Sequence, residues 1–591
     1  MSLCGVMSAD VVFRGGTIIT HLSGSQPQSV TKLAVKSGRV VAVGDDVDGL
    51  IGDTTRVEEL APSEVAYPGF TDNHTHALCG GFVQERLFLP TKIPPITSFS
   101  ALVKATAAYV KTMPLAEPAV IGFGWSQSMV SPETIDRGML DEVERDRPVL
   151  LMEIAGHSVI CNSAALAIAN ISKDTPDPPG GKIYRDANGE PTGLLEEDAT
   201  FFTIVMTMLD MFRDELLVEP IVQVLRGFAR AGCTSIAEIL GSPGLAISRP
   251  WLLCAMDNRE PLPVRVHYFL PIFGNAPGGW EAGMRNAAKI RDEKHESPRV
   301  HFGGVKIWID GTMATFTAWV KEPFLTNPSD RGLHFIDTAD LNRVVQMAEE
   351  LSLRLKIHAN GDAAVEAALD AFEAVAAGQP LKNRHCLEHV AMIAVGDLDR
   401  MARLGLVASV QPVAKAATPM GSAPQKLGRA RLNKAFNYRG MSDSGITLAF
   451  GTDWPVFPFQ SVLLNLWAST RECGCARCGI CCYAERNNAP PLLSCEALEA
   501  FTVGPAKALQ REEDMGQLTV GKWADMVVFS CDPFSQTPTG EVGNVSILRT
   551  FVAGDRVDSQ QRKGDKGMTL PPGTPMCCWV LDKASRIFTC C

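Results

Sequence analysis

Apolar and polar positions alternate at the two ends of this chain and follow a different rhythm through its middle. Residues 9–66 carry ADVVFRGGTIIT and LAVKSGRVVAVGDD. This period-two pattern predicts small β-hairpins with turns at Gly15-Gly16 and Ser37-Gly38. Residues 515–557 return to it in MGQLTVGKWADMVVFS and ILRTFVAGDRV, so the two ends can pair into one small sheet domain. Between them, short apolar runs alternate with stretches such as ADLNRVVQMAEELS (339–352) and AAVEAALDAFEAVAAG (363–378), whose apolar residues recur every three to four positions, as in helices. Eight runs read as buried strands: 67–73, 232–239, 265–270, 305–310, 354–359, 385–389, 407–411 and 447–452. Strands alternating with helices predict an α/β fold with a (β/α)8 barrel.

These patterns divide the chain into a composite β domain (1–66 with 506–557), a barrel (67–505) and a tail. The outsized gap between the first two strands, 77–231, holds its own helical pattern and a strand-like PVLLMEI. It is read as an insertion that can cover the barrel mouth. The tail, 558–591, is polar, Pro/Gly-containing and Cys-containing, which predicts flexibility.

At 591 residues the chain exceeds one compact core, so two or three units are expected. The 46% hydrophobic and 20% charged composition is that of an ordinary globular protein,. A net charge of −11 disfavours nucleic acid and anionic membrane as partners. The opening MSLCGVMSADVVF lacks the basic and long apolar regions of a signal peptide,, and no uninterrupted apolar run reaches the roughly 18 residues of a spanning helix. A cytoplasmic protein with a small-molecule substrate is expected, with no nucleic-acid or membrane partner, and homo-oligomers left open. Of the 17 cysteines, five crowd into CGCARCGICC (473–482) and four into the tail, Cys577, Cys578, Cys590 and Cys591. The first cluster has thiolate spacing able to hold zinc or an iron–sulfur cluster, or it is a divergent loop. The terminal pair forms no C-a-a-X box.

The candidate chemistry sits at the strand ends. His74 and His76 in YPGFTDNHTH are two apart, so on a strand both face one side and can share a metal,. His358 in KIHANGD and His389 in CLEHV follow later strands and can complete a second site. Otherwise they are core histidines, with Glu388 a ready partner for His389. Lys306 in VKIWIDG can pair with Asp310 or a substrate carboxylate. Buried with a depressed pKa, it can instead react with carbon dioxide to give a carbamate that bridges two metals. Asp453 in LAFGTDWP is the general-base candidate, unless it only caps a turn.

In this order the motifs resemble the amidohydrolase superfamily, in its YtcJ-like branch (amidohydrolase family 3), which includes N-substituted formamide deformylases. PGFTDNHTH, VKIWIDG, HANGDAAVEAAL, RHCLEHV, ASVQP and GTDWPV carry the resemblance, with GHSVICNSAAL, AGCTSIAEI and GKWADMVVF beside them. It spans residues 9 to 557. It implies a distorted (β/α)8 TIM barrel with a small β-sandwich made from both chain ends. It also implies a divalent metal, zinc first, as one or two ions held by His74, His76, Lys306, His358, His389 and Asp453. Two departures, Ala155 before Gly156-His157 and Ala414 after Gln411-Pro412, bear on the substrate.

The resulting expectation is a hydrolase of non-peptide carbon–nitrogen bonds in an amide, formamide or cyclic amide. Metal-bound hydroxide would attack the carbonyl, Asp453 would move the proton, and His157, Asp310 and Arg431 would orient the substrate. The competing expectation is a catalytically inactive scaffold of the same fold, which should have lost ligands; none is lost.

Overall fold

The computed structural model describes residues 8–558 apart from 23–26, 85, 89–97, 115–116, 126–129, 154–156, 179–180, 198, 200–213, 243–244, 247–248, 275–277, 314–315, 418–422, 458–460, 471–489 and 534–544. The cysteine cluster 473–482, Ala155 with Gly156, and the tail beyond 558 lie outside the described residues.

The chain begins with β1 (Val11–His21), β2 (Gln28–Lys36), β3 (Arg39–Val43) and β4 (Arg56–Pro68), and β5 (Phe70–Thr75) is the first barrel strand. The insertion supplies β6 (Leu87–Phe88), β7 (Val120–Trp125), β8 (Val149–Glu153), β9 (Ser158–Cys161), β10 (Gly181–Arg185) and β11 (Pro191–Glu197). The barrel resumes with β12 (Cys233–Ile239), followed by a small hairpin of β13 (Gly241–Ser242) and β14 (Leu245–Ala246). It continues through β15 (Arg265–Pro271), β16 (Val300–Trp308), β17 (Leu355–Ala359), β18 (Cys386–His389), β19 (Val407–Val410) and β20 (Thr447–Phe450). The chain then returns to the first sheet with β21 (Met526–Phe529), β22 (Ile547–Val552) and β23 (Asp555–Arg556).

Eight strands form the barrel sheet in the order β20-β19-β18-β17-β16-β15-β12-β5, all neighbours parallel. Their burial explains their composition: helices cover the outside and side chains fill the inside, so the runs are apolar with few interruptions. In β17, Leu355, Ile357 and Ala359 alternate with Lys356 and His358, and the polar pair projects to the interior. The first strand is shifted from its expected place. Residues 67 and 68 belong to β4, and the chain enters the barrel at Phe70. Gly69 makes the passage because a Cβ there would lie 2.2 Å from Thr234 Oγ1.

The barrel closes beyond its last ladder. Asp453 N donates to His74 O at 2.8 Å and His76 N to Trp454 O at 2.8 Å, around a bridge between Thr75 and Trp454. The Asp72 carboxylate spans the same seam, accepting from Thr452 N at 2.9 Å and from His74 N at 3.2 Å. The bonds that shut the barrel therefore also place His74, His76 and Asp453.

Strands from both chain ends form one seven-stranded sheet, β23-β22-β21-β4-β1-β2-β3. Ser37-Gly38 makes the β2–β3 turn, whereas Gly15-Gly16 lies inside β1 as an irregularity, not a turn. Both glycines have positive φ there, 83° and 53°, a conformation that permits a bulge at little steric cost. The insertion builds a six-stranded sheet, β10-β11-β9-β8-β7-β6, with its own core around Trp125, Leu151, Ile160 and Leu194. Among the described residues no helix is long and apolar enough to cross a membrane.

Candidate metal centre

One cleft at the barrel mouth is lined by His74, His76, Lys306, His358, His389 and Asp453 together with His157. Its empty volume, counted out to open solvent, is about 820 Å³. Trp308, Met313, Phe436, Tyr438, Val456 and Phe457 form the apolar walls, and Thr312, Asn360 and Gln411 add polar points.

His74 Nε2 and His76 Nε2 each lie 3.4 Å from Asp453 Oδ1. Two ligands about 2.1 Å from one ion at a tetrahedral angle would stand roughly 3.4 Å apart, so the spacing suits a shared metal. One ligand atom each of His74, His389 and Asp453 lies within 4.8 Å of the others. Burial holds the His74 and His358 imidazoles well below their ordinary pKa and brings His389 down to about 3, with neighbouring imidazoles and lysines adding to it. All three are neutral at pH 7, the form that ligates.

The backbone is bent to deliver two of these groups. His389, its neighbour Val390 and Asp453 have φ of 71°, 43° and 56°, a region that β-branched residues in particular avoid. Adjacent strand residues face opposite sides. The turn at the end of β18 allows Glu388 to stay inside the barrel while His389 reaches the mouth. Strained backbone of this kind concentrates at functional positions.

Lys306 is fully buried, and its Nζ has no hydrogen-bond partner; the Trp308 ring centroid lies 5.3 Å away. Burial lowers its pKa to about 8, more than the attraction of Glu388 restores. An orphaned buried amine with a depressed pKa fits a group that changes state when the centre is loaded. His76 Nδ1 is likewise unpartnered.

Around this cluster stand partners whose roles sequence spacing did not reveal. Glu388 bonds His74 Nδ1 and Lys356 Nζ, not the adjacent His389. His389 Nδ1 instead meets Gln411 Oε1 at 2.8 Å. Glu238 on β12 accepts from Ala77 N at 2.6 Å and Leu78 N at 3.0 Å, holding the chain directly after His76. His157 arrives from the insertion with its Nδ1 2.7 Å from Glu197 Oε2. Burial alone would depress its pKa, but the Glu197 carboxylate more than offsets this and leaves it raised. The GLLEE motif was the available signal for Glu197; nothing in the spacing pointed to Lys356.

Asp310 and Arg431 do not line the cleft. Asp310 accepts from Trp319 N, Asn360 N and Gly361 N at 2.8–2.9 Å, with His358 Nε2 3.8 Å away. Arg431 donates to the carbonyls of Leu427, Glu322 and Pro323 at 2.6–2.9 Å. Both brace loops behind the wall, where each is held by backbone groups of this chain.

The family model described as "Amidohydrolase family" matches residues 64–558. The chain is similar to the putative amidohydrolase YtcJ of Bacillus subtilis, 30% identical over 554 residues that cover 92% of this chain and 99% of that protein. It is similar to the N-substituted formamide deformylase of Arthrobacter pascens at 25% over 540 residues, covering 88% and 93%. The protein LONG AFTER FAR-RED 3 of Arabidopsis thaliana matches at 28% over 563 residues, covering 93% and 91%. Among solved structures, an uncharacterized metal-dependent hydrolase from Pyrococcus horikoshii shares the fold with a TM-score of 0.68 at 21% identity, covering 89% and 98%. Eight parallel strands, a histidine–aspartate cluster at their mouth and a family match over most of the length lead to one conclusion: this chain belongs to the amidohydrolase family.

Proposed function

We propose that this chain is a metal-dependent hydrolase of non-peptide carbon–nitrogen bonds in an amide, formamide or cyclic amide. The observation that carries the reading is the meeting of His74, His76, His389 and Asp453 with an orphaned Lys306 in one cleft. The relative named N-substituted formamide deformylase supports the bond type, and solved neighbours titled metal-dependent hydrolases support the cofactor.

His74, His76, His358, His389 and Asp453 would hold one or two divalent ions, zinc first, with Lys306, as its carbamate, among the ligands. Such an ion supplies Lewis-acid polarisation of a carbonyl and lowers the pKa of water to about 7. Asp453 takes the proton from the attacking water and hands it to the leaving nitrogen, which departs with the electron pair of the broken C–N bond. His157, held by Glu197, and Asn360, both beside His358, orient the substrate. Trp308, Phe436 and Phe457 exclude bulk water, and Asp310 keeps the Asn360 loop in place.

The test is a screen of N-formyl amines, acylated amino acids and cyclic amides with the zinc-, manganese- and iron-loaded chain, read as amine release. Metal-dependent turnover of at least one class is expected. Metal-loaded protein that is inert towards all three would overturn the reading.

A further inference from the structure

We infer that Glu388 is a positioning residue that sets His74 for metal binding, and that Lys356 holds Glu388 to that task. The inference rests on the metal reading of the cleft. One oxygen of Glu388 meets His74 Nδ1 and the other lies 2.9 Å from Lys356 Nζ, with all three side chains 0–1% exposed. Lys356 also donates to Asn73 O at 2.6 Å, the residue before His74. The relay is thus tied to β5 at both ends: through the backbone before His74 and through the ring itself.

An ionised carboxylate only accepts hydrogen bonds. Its contact therefore places the ring hydrogen of His74 on Nδ1 and leaves Nε2 bare, directed at Asp453 Oδ1 3.4 Å away. His389 leans on a neutral amide, Gln411, and His76 Nδ1 has no partner. Of these three imidazoles, His74 is the one given a charged orienting group. A carboxylate behind a ligating histidine fixes its tautomer and raises its basicity. A carboxylate this deep also needs a counter-charge, since a bare ion is strongly disfavoured away from water. Lys356 supplies it. Lys306 lies opposite Lys356 in the β16–β17 register yet stays unpartnered, so of the two interior lysines one is locked and the other free.

The experiment measures zinc affinity of the full chain by competition with a chromophoric chelator. Glu388→Gln is expected to weaken zinc binding by roughly 10–100-fold. Because that change strands the Lys356 ammonium, the double variant E388Q/K356M removes both charges. It is expected to fold and to show the same loss. Loaded with cobalt(II), the double variant should also have a shifted visible spectrum, a readout that a purely structural pair would not move. Wild-type affinity with an unshifted cobalt spectrum in the folded double variant would overturn the inference while leaving the metal reading intact. Should neither variant fold, wild-type chain labelled with ¹⁵N-histidine decides the matter, with the His74 signal assigned by its loss in His74→Gln. An Nδ1–H ring is expected, and an Nε2–H ring overturns it. A wild-type chain that takes up no zinc would instead overturn the metal reading and this inference together.

Discussion

At the scale of single residues, the cleft makes three claims that substitution can check. His74→Ala or His76→Ala should abolish metal uptake and turnover together, since each imidazole lies 3.4 Å from the same Asp453 oxygen; normal activity with full metal would remove them from the site. Asp453→Asn keeps shape but cannot take a proton, so kcat should fall by about 10²–10⁴-fold with the melting temperature little changed. For Lys306 the pH dependence has a definite sign. With its pKa lowered to about 8, roughly a tenth of the amine is neutral at pH 7 and most of it at pH 9. Only the neutral amine adds carbon dioxide. Reconstitution of the metal-free chain with zinc at a constant concentration of dissolved carbon dioxide, total bicarbonate being raised with pH to hold it, should therefore quicken as pH rises through 8, and intact mass should gain one carbon dioxide. A rate that falls over that range would contradict the carbamate. The six groups lining the mouth were readable from sequence because five stand at or just past the end of an apolar run and Lys306 stands within one. The partner of His389 was not, because neighbours in a strand face opposite sides and only the positive φ of His389 brings it to the mouth,.

At the scale of elements, the eight barrel runs were readable because burial on both faces leaves them nearly continuous in apolar residues. Their ends were less so. The first run straddles two sheets at Gly69, and Lys306 sits two residues inside β16 instead of at its end. Of the insertion's sheet only β8 was readable, in PVLLMEI; β6 and β9 span two and four residues, too short to stand out as apolar runs. The closing seam follows from no local pattern at all. Asp72 satisfies two backbone N–H groups there, and Asp72→Ala leaves both buried without that acceptor. A loss of about 1–3 kcal/mol is expected in denaturant unfolding, together with weaker zinc binding because the seam carries His74 and Asp453. A stable variant with unchanged affinity would show that the ladder bonds alone close the barrel.

At the scale of the whole molecule, the chain ends meet in one sheet while the cleft opens at the barrel mouth, so stability and chemistry should separate. Phe551 is buried edge-on against Phe13, ring centroids 4.9 Å apart. Phe551→Ala should cost about 3–5 kcal/mol and leave metal content per folded chain unchanged, as checked by unfolding and metal analysis of the same preparation. The repeated period-two pattern suggested that pairing; its register had to come from the structure. The central claim is that bound metal makes this barrel a hydrolase, and one measurement addresses it most directly. Metal per chain and amide hydrolysis are followed side by side through chelation and re-addition. One to two equivalents of divalent metal are expected, with activity lost as metal leaves and restored as it returns. Less than half an equivalent per chain, or turnover indifferent to its removal, would contradict the account.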